Sequence, residues 1–261
     1  MLSGIETLSG AERHEKIAQL LKQQQRITVS QICELFAVSE ATARRDLEVL
    51  ANRGLARRVH GGATQLTEAP PEPPILSRSR EQAEEKQAIA VLAAGLVKDG
   101  DTLFLGSGST VLALARILRE RRLTVLTNSL AIINTLADIQ SIQLVSLGGS
   151  YRPTELSFIG HIAEQALAEV RADKVFLGVR ALDVHHGLTN DYLPETLTDR
   201  AVLGIGREII ILADHTKIGR VSSAFVAPLT TITILITDQK APPEFVQTLR
   251  DLGVQVLLPV S

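Results

Sequence analysis

Residues 29–50 read VSQICELFAVSEATARRDLEVL, and the spacing of their apolar side chains decides the fold of the N-terminal region. Two groups recur at helical spacing, and they are Val29, Ile32, Leu35 and Phe36, then Ala43, Leu47 and Leu50. Residues 37–39 interrupt the period between the groups. Ser39 can cap the start of the second helix, and Gly54 can provide its left-handed C-terminal cap. The stretch therefore predicts two helices joined by a tight turn.

The second of these helices has the composition of a DNA-reading helix. If Ala43, Leu47 and Leu50 are buried, the helical period turns the opposite face outward. Candidates for contact with a major groove lie on that face, on its flanks and at the cap, and they are Ser39, Ala41, Thr42, Arg44 and Arg45. Guanidinium groups suit guanine edges and phosphates, and threonine suits a phosphate or a thymine methyl group. The alternative is a solvated helix face of mixed charge, because Asp46 and Glu48 lie beside the arginines.

A short hairpin is predicted after the second helix. Residues 55–59 and 63–66 flank a His-Gly-Gly turn at 60–62, and glycine supplies the positive φ that such turns need. Three side chains of this wing are candidates for contact with the neighbouring DNA backbone, and they are Arg57, Arg58 and His60. The alternative is a hairpin that contributes only to the fold of the region.

A dense motif runs through both helices and the wing. Its residues are Val38, Ser39, Thr42, Arg44, Arg45, Asp46, Leu47, Leu50 and Gly54, then Arg57, His60, Gly61, Gly62 and Ala63. This motif resembles the winged helix-turn-helix of DeoR-type bacterial transcription regulators. It departs at Ala43, where the family more often has isoleucine or valine. The resemblance implies that double-stranded operator DNA is the partner of this region.

Length and charge limit the possible classes of protein. The chain has 261 residues, of which 45% are hydrophobic and 21% charged, and this is enough for two domains with separate cores. Residues 1–67 carry 9 basic and 7 acidic side chains, a net charge of +2, and the rest carry 18 and 22, a net charge of −4. Because the basic excess is modest, we expect DNA affinity to be local to the reading helix and wing.

Cysteine usage and hydropathy indicate the compartment. Cys33 is the only cysteine, so neither an intrachain disulfide nor a cysteine-based metal site is expected. Residues 1–10 lack the basic run and apolar core of a leader peptide. No apolar stretch reaches the roughly 18 to 20 residues that a membrane span needs. We therefore expect a cytoplasmic protein with no membrane partner.

A proline-rich segment separates two regions of the chain. Its prolines disfavour both helix and sheet pairing, and they are Pro70, Pro71, Pro73 and Pro74. We predict a winged helix-turn-helix domain at residues 9–67, a semi-rigid linker at 68–77 and an effector-binding domain at 78–261. A capping-box spacing from Ser9 to Glu12 predicts that the first domain begins with a helix.

Beyond the linker, a helix is expected over residues 79–98, and apolar runs then alternate with amphipathic segments of helical length. The runs are 103–105, 123–126, 142–147, 175–179, 209–213, 231–236 and 254–260. Such an alternation indicates a parallel sheet covered by helices on both faces. The predicted fold is α/β, in which a doubly wound, mostly parallel Rossmann-like sheet domain follows the N-terminal winged helix-turn-helix.

Small and polar residues follow these strands, at the edge where open α/β sheets bind ligands. These candidates are Gly106, Ser107, Gly108, Ser109, Thr110, Thr127, Asn128, Ser129, Gly148, Gly149, Gly178, Asp214 and Lys217. Residues 106–110 open a helix, whose first N–H groups and positive dipole end suit a phosphate. The loop lacks the lysine of a Walker loop and the third glycine of a dinucleotide fingerprint. The alternative is a tight turn without a ligand.

Further motifs extend the resemblance over nearly the whole chain. They are residues 98–102, 127–129, 147–152, 173–178, 187–189, 213–220 and 236–238. They resemble the DeoR-family effector domain, which is similar in fold to ribose-5-phosphate isomerase and glucosamine-6-phosphate deaminase. The resemblance adds Tyr151 and Arg152 to the effector candidates and departs at Asp199, where many members carry a basic residue. The alternative for Tyr151, Arg152, Asp214 and Lys217 is a structural role as ion-pair partners at the rim of the crevice. It implies a phosphorylated sugar effector, a homodimer or tetramer, and no cofactor.

Two functions from different classes fit these features. The first is a transcription regulator, usually a repressor in this family, whose DNA affinity is shifted by a metabolite of the carbohydrate operon it controls. The second is a sugar-phosphate isomerase or deaminase, whose proton-transfer candidates are Asp183, His185, His186, Glu195, Asp214 and Lys217. Adjacent histidines before a glycine are more typical of a turn than of a metal site, so no metal is expected. The sequence favours the regulator over the enzyme.

Overall fold

The computed structural model describes residues 9–52, 56–64, 67–68 and 73–259. The chain divides into two compact units, Met1–Thr67 and Glu68–Ser261, which we call the winged unit and the sensor unit. Among the described residues, no helix is long and apolar enough to cross a bilayer.

The winged unit contains the predicted pair of helices. Its described elements are α1 (Gly10–Gln24), β1 (Arg26–Thr28), α2 (Val29–Phe36), α3 (Glu40–Asn52), β2 (Arg57–Val59) and β3 (Gly62–Thr64). α1 begins with the predicted capping box, in which Ser9 and Glu12 satisfy each other's backbone N–H groups. α2 ends at Ala37, whose φ of 51° places it in the left-handed region of the tight turn. The predicted cap at Gly54 lies outside the described residues.

The apolar stripes of α2 and α3 pack against α1 in one core. Its fully buried side chains include Ile17, Leu21, Ile32, Ala43, Leu47 and Leu50. The prediction that Leu35 belongs to this core is wrong, because its side chain is 58% exposed. Leu35 lies about 100° around the helix from Phe36, which is far enough to turn it away from the buried stripe.

A third strand, which the sequence did not predict, joins the wing. The sheet order is β1-β3-β2, and β3 is antiparallel to both neighbours. Gly61 has a φ of +78° at the predicted turn, whereas a Cβ atom at Gly62 would collide with the carbonyl oxygen of Ile27 in β1. Glycine is therefore needed at the two positions for different reasons. Gly61 adopts the positive φ of the turn, and Gly62 permits the close approach of β1.

β4 (Thr67–Glu68) lies at the junction of the two units, and the sensor unit follows. Its helices are α4 (Ile75–Arg78), α5 (Ala83–Ala94), α6 (Ser109–Ile117), α7 (Leu130–Leu136), α8 (His161–Ala168), α9 (Leu193–Leu203) and α10 (Pro243–Asp251). Its strands are β5 (Thr102–Leu105), β6 (Leu123–Thr127), β7 (Ile142–Ser146), β8 (Ser150–Arg152), β9 (Ser157–Ile159), β10 (Ala172–Gly178), β11 (Ala181–Asp183), β12 (Gly187–Asn190), β13 (Gly206–Leu212), β14 (Arg220–Val221), β15 (Ala224–Ala227), β16 (Ile234–Ile236) and β17 (Gln255–Leu257).

The predicted apolar runs form one sheet of seven strands in the order β17-β16-β13-β10-β5-β6-β7. Every neighbouring pair in it is parallel. The chain starts in the middle of the sheet, winds to one edge, returns and winds to the other. This confirms the predicted doubly wound fold, and it places the reversal of strand order between β5 and β10.

Apolar side chains cover both faces of this sheet. Val175 and Phe176, which are adjacent in β10, belong to two different buried clusters. Successive side chains of a strand point to opposite faces, so a strand buried on both faces must be apolar at every position. This is the cause of the near-continuous apolar runs in the sequence.

Several local expectations for the sensor unit are wrong. The helix predicted over 79–98 spans Ala83–Ala94, and α4 precedes it inside a segment where prolines were expected to prevent a helix. Pro74 is the N-cap of α4, a position where the missing N–H of proline costs no helical hydrogen bond. The run at 231–236 forms a strand only from Ile234. Short antiparallel pairings, β8 with β9 and β12 with β11 and β15, were not predicted.

Candidate functional site

α3 presents the predicted reading face to solvent. Its apolar stripe is fully buried, and Ala41 and Arg45 are exposed on the opposite side. At its start, Ser39 Oγ accepts a hydrogen bond from the backbone N–H of Thr42 at 3.3 Å, and the two hydroxyl oxygens are 3.0 Å apart. Ser39 thus caps the helix as predicted, and Arg45 lies in the second turn after this cap.

Arg44 lies beside this face and is held by a neighbour on the same helix. Its Nη2 donates to Oε2 of Glu40 at 2.9 Å, one turn earlier. The two side chains are 63% and 67% exposed, so solvent screens the pair and its contribution to stability is small. Glu40 is therefore a weak competitor for the guanidinium of Arg44.

Asp46, next to the two arginines, anchors α3 to α1. Arg13 donates to its carboxylate from Nε at 2.5 Å and from Nη2 at 3.0 Å, and His14 Nε2 lies 2.9 Å from Oδ1. Burial alone would raise the pKa of Asp46, but the hydrogen bonds and charges of Arg13 and His14 together lower it. The burial of Asp46 was not predicted, although the helical spacing indicates it. Asp46 is three residues from Ala43 and four from Leu50, so it lies on the buried face of α3.

The wing places its basic residues unequally. Arg58 lies opposite Ala63, a core residue, so its side chain is directed to the core face of the hairpin. It is half-buried, and its Nη1 has no hydrogen-bond partner among the described residues. His60 is exposed at the turn. The side chain of Arg57 lies outside the described part of the structure.

In the sensor unit, a cleft opens at the carboxyl ends of β5, β10 and β13, where the strand order reverses. It contains about 880 Å³ of empty space, including the solvent at its mouth. Nine predicted residues line it, and they are Gly106, Ser107, Gly108, Ser109, Thr110, Asn128, Gly178, Asp214 and Lys217. Other polar residues line it that the sequence did not point to, and they are Arg78, Glu81, Gln82, Lys86, Glu155, Arg180 and Asn190.

Residues 106–110 form a glycine-rich loop between β5 and α6. A Cβ atom at Gly106 would collide with Cδ2 of Leu177, and Gly108 has a φ of +130°, so both positions favour glycine. Gly108 is the N-cap of α6, and no side chain in the described part of the chain caps this helix. The amides of Ser109 and Thr110 therefore have no intrahelical acceptor and carry the positive end of the helix dipole.

Asn128 brings an amide from the end of β6 into the cleft. It is 6% exposed, and its Nδ2 donates to the carbonyl oxygen of Phe158 at 3.0 Å. Its Oδ1 is buried without a hydrogen-bond partner among the described residues, which suits it to accept from a ligand. Thr127 and Ser129 lie outside the lining, because Thr127 Oγ1 donates to a strand carbonyl and accepts from the Ser129 N–H at 3.0 Å.

Four other predicted residues also lie outside the cleft lining, and they are Gly148, Gly149, Tyr151 and Arg152. A Cβ atom at Gly149 would come within 2.6 Å of the carbonyl oxygen of Ile159, so this glycine permits the approach of β9. Tyr151 is 46% exposed, and its ring packs on Phe158 with centroids 5.7 Å apart. Arg152 reaches the cleft only through its ion pair with Glu195, which does line it.

Two basic residues enter the cleft from α4 and α5, which both contact α6. Lys86 Nζ donates to the carbonyl oxygens of Arg78 and Glu81, each at 2.7 Å. Burial lowers the pKa of Lys86. Arg78 forms an ion pair with Glu155. Helical spacing contained a signal for Lys86, because it lies three residues before Ile89 on the buried face of α5.

α9 forms another wall of the cleft with two carboxylates one turn apart. Asn190 Nδ2 donates to Glu195 Oε2 at 3.2 Å and to Asp199 Oδ2 at 2.9 Å. Glu195 is also paired with Arg152, and Arg180 Nε with Asp191 at 2.9 Å. Burial raises the pKa of Asp199 to about 6. α9 therefore contributes acidic side chains to the cleft, whereas α5 contributes the basic Lys86 and the loop at 106–110 contributes helix N–H groups.

Comparison with known families covers both units. Residues 13–69 match the DeoR-like helix-turn-helix domain, and residues 81–239 match the DeoR C terminal sensor domain. The chain belongs to the DeoR family. It is a DNA-binding transcription regulator, and the cleft lies almost entirely within the part that matches the DeoR sensor domain.

Full-length relatives of this DeoR-family chain are named as repressors. The transcriptional repressor AccR of Agrobacterium fabrum (strain C58 / ATCC 33970) is 36% identical over 232 residues, covering 88% of this chain and 90% of that protein. The glycerol-3-phosphate regulon repressor of Escherichia coli (strain K12) is 32% identical over 248 residues, covering 95% and 98%. Among solved structures, ribose 5-phosphate isomerase A of Methanocaldococcus jannaschii matches with a TM-score of 0.39 and 23% identity, covering 53% of this chain and 55% of that one.

Several of the proton-transfer candidates of the isomerase alternative serve the fold of this DeoR-family chain. Asp183 Oδ1 accepts from the backbone N–H groups of His185 at 2.9 Å and His186 at 3.1 Å, and these three residues do not line the cleft. Asp214 caps a helical turn by accepting from the Thr216 N–H at 2.9 Å. Within the described ranges, no group of three or more His, Cys, Asp or Glu side chains could hold a metal ion. Family membership identifies the chain as a regulator and not an enzyme.

Proposed function

We propose that this regulator represses a carbohydrate-metabolism operon, and that a phosphorylated sugar in the cleft controls its affinity for double-stranded operator DNA. The DNA-binding residues of the proposal are Ser39, Ala41, Thr42, Arg44, Arg45, Arg57, Arg58 and His60. The effector-binding residues are the nine predicted residues that line the cleft. The domain limits of the proposal are residues 9–67 for DNA binding, 68–77 for the linker and 78–261 for the sensor.

One observation carries the effector proposal, and it is the position of the loop at residues 106–110. This loop lies where the strand order of a doubly wound sheet reverses, between β5 and β10. It also opens α6, whose first amides have no helical acceptor and whose dipole favours an anion. Both features favour a phosphate at the same place.

The rest of the cleft suits the remainder of such a ligand. Lys86 and Lys217 supply positive charge along the lining. The Oδ1 of Asn128, which has no partner among the described residues, can accept a hydrogen bond from a sugar hydroxyl. A relative named for a glycerol-3-phosphate regulon supports a phosphorylated metabolite as the signal.

We infer that the regulator acts in the cytoplasm as a homodimer or tetramer. Winged helix-turn-helix readers commonly bind repeated half-sites, which a symmetric oligomer matches. Large apolar side chains exposed on the sensor unit are compatible with a subunit contact, and they include Leu193 at 65%, Leu197 at 51% and Phe225 at 50% exposure. Light scattering at micromolar concentration should give at least twice the chain mass, and a monomer mass would contradict this inference.

The effector proposal is tested by an operator-binding assay with a panel of sugar phosphates. The DNA is the region upstream of the neighbouring operon, and its affinity is measured with and without each compound. Gly108→Val should crowd the loop at a φ of +130°, and Lys217→Ala should remove a cleft cation. Both variants should bind operator as the wild type does and respond less to the active compound, because neither residue belongs to the winged unit.

A matched control variant distinguishes loss of the phosphate site from the general effect of replacing a glycine that has a positive φ. Gly100 also has a positive φ, +92°, and a Cβ atom there meets nothing within 4 Å. Gly100→Val carries a similar backbone strain away from the cleft, so it should keep the full response. Equal responses from wild type, Gly108→Val and Lys217→Ala would show that the phosphate site is misplaced. Turnover of a sugar phosphate at enzyme-like rates would contradict the regulator function.

A further inference from the structure

The acidic wall of the cleft carries an unbalanced charge. Two arginines, Arg152 and Arg180, face three carboxylates, Asp191, Glu195 and Asp199. The sum is +2 − 3, which leaves one negative charge in excess. The pairings identify where this excess lies.

Each arginine of the cluster has a partner other than Asp199. Arg152 pairs with Glu195 and stacks on the ring of Tyr192, with its Cζ 4.4 Å from the centroid. Arg180 Nε pairs with Asp191 at 2.9 Å. Asp199 accepts one hydrogen bond, from Asn190 at 2.9 Å, and forms no ion pair with any residue that the structure describes. The excess charge is therefore on Asp199.

The surroundings of Asp199 make this charge costly. It lies where the cleft meets a smaller cavity of about 340 Å³, whose lining includes Leu188, Leu203, Ile211 and Val226. Burial among these side chains raises the pKa of Asp199 to about 6, against the opposing effects of Asn190 and Arg152. A carboxylate without a cation in such a place gains more from a ligand cation than an exposed one does.

Independently of the charge count, one polar atom in the cleft lacks a hydrogen-bond partner among the described residues. Asn128, at the end of β6, is 6% exposed and keeps a buried Oδ1 with no hydrogen bond from any described residue. The carboxylate of Asp199 and the Oδ1 of Asn128 can both accept hydrogen bonds from a ligand, and both residues line the cleft that contains the loop at 106–110. The cleft thus combines groups that suit an anion with one carboxylate that has no ion pair and one amide oxygen that has no donor among the described residues.

We propose that Asp199 forms a subsite for a protonated amino group, so that the effector is an amino sugar phosphate with its phosphate at residues 106–110 and its ammonium at Asp199. This inference rests on the proposed function, because it assumes that the cleft binds a phosphorylated sugar. Asn128 then accepts from a hydroxyl of the same ligand. Asn190 holds the Asp199 carboxylate in place through its hydrogen bond.

Calorimetry with matched probes tests the subsite on the full-length protein. The probes are 2-amino-2-deoxyglucose 6-phosphate, glucose 6-phosphate and the N-acetylated amino sugar phosphate, with the corresponding galactose compounds as a second stereochemical set. The amino compound should bind at least about tenfold more tightly than the hydroxyl compound, which corresponds to about 1.4 kcal/mol. Asp199→Asn should remove this preference while keeping the affinity for glucose 6-phosphate within about twofold.

A second carboxylate of the cleft provides the control. Glu81 lines the same cleft but is exposed, whereas Asp199 is half-buried, so Glu81→Gln removes the same charge and leaves Asp199 in place. The amino preference should survive Glu81→Gln. If both variants lose it equally, the preference comes from the overall charge of the cleft and the subsite is wrong.

Failure of this inference can be distinguished from failure of the proposed function. If glucose 6-phosphate binds and the amino compound gains nothing, Asp199 is not an ammonium site although the phosphate site stands. If the N-acetyl compound binds more tightly than the amine, Asp199 selects a neutral donor and the inference is overturned. If no compound of either series binds and Gly108→Val changes nothing, the proposed function fails with it.

Discussion

Asp46 in the winged unit and Asp199 in the sensor unit are both acidic side chains enclosed by protein, yet their pKa values move in opposite directions. Burial acts on both, but Arg13 and His14 lower the pKa of Asp46, whereas the pKa of Asp199 rises to about 6. The difference is the presence of a cation in contact. Asp46, which contacts a cation, fixes the position of a helix, and Asp199, which contacts none among the described residues, is suited to a ligand.

The two candidate sites differ in the same way. The reading surface lies on one helix, and its partly buried acid is neutralised within the unit. The cleft is built from strand ends, a loop and four helices, and its acid is left to be neutralised by a ligand. Local sequence therefore specifies the first site, whereas the second also depends on contacts that only the tertiary fold brings together.

The largest expected effect is loss of the Asp46 anchor. Asp46→Asn removes the carboxylate that Arg13 and His14 contact. Breaking such an enclosed ion pair lowers the free energy of unfolding by about 3–5 kcal/mol. Hydrogen exchange of the α3 amides in the full-length protein should show faster opening of the winged unit, with unchanged exchange in the sensor unit. Glu48→Gln, an exposed change on the same helix, is the control. Unchanged α3 protection in Asp46→Asn would remove the contrast between the two acids.

This contrast shows what the sequence could predict and why. The helices of the reader and the seven parallel strands were predictable, because the period of the apolar side chains records which faces are buried. The loop at 106–110 was predictable as well, since small residues after a strand mark the ligand edge of such a sheet. Leu35 was assigned wrongly, because an apolar side chain at the margin of a stripe carries no sign of its exposure.

The remaining parts of the cleft depend on contacts between distant residues. Arg78 and Lys86 reach the cleft because α4 and α5 pack against α6, and nothing in their local sequence identifies that neighbour. The pairing of Arg152 with Glu195 joins positions 43 residues apart. This ion pair explains why Arg152, which was predicted to contact the effector, lies outside the cleft lining. The sequence shows that these residues are charged, but which of them form ion pairs depends on the tertiary fold.

A smaller effect is expected on the reading surface, where no anchor is involved. Arg45→Ala should weaken specific operator binding by about 1–3 kcal/mol, because Arg45 is exposed on the face opposite the buried stripe. Protection of the α3 amides should stay as in the wild type, in contrast to Asp46→Asn. Arg207→Ala removes the same charge from an 84% exposed site on the sensor unit and should leave operator affinity unchanged. Equal affinities for Arg45→Ala and wild type would mean that α3 meets DNA through another face.

The smallest effect is the pH dependence of stability that the raised pKa of Asp199 produces. The pKa of Asp199 is about 6 in the folded protein, and its ordinary value is 3.8. Between these two pH values this carboxyl is therefore protonated to a greater extent in the folded chain than in the unfolded chain. Stability from this group therefore increases as pH falls from 7 to 5, by about 1 kcal/mol. Glu155, Arg152 and Asn190 act on the same carboxyl, and Asp199→Asn leaves them in place while removing the titration.

The measurement is the difference in unfolding free energy of the sensor unit between wild type and Asp199→Asn across that pH range. Other carboxyls titrate in both proteins, so the difference isolates Asp199. Asp46 has the opposite sign, because its lowered pKa makes its stabilisation fade only as pH falls below about 4. If the wild type and Asp199→Asn change in parallel from pH 7 to 5, then Asp199 is neutralised by a cation after all. In that case the two acids do not differ in kind, and the ammonium subsite loses its physical basis.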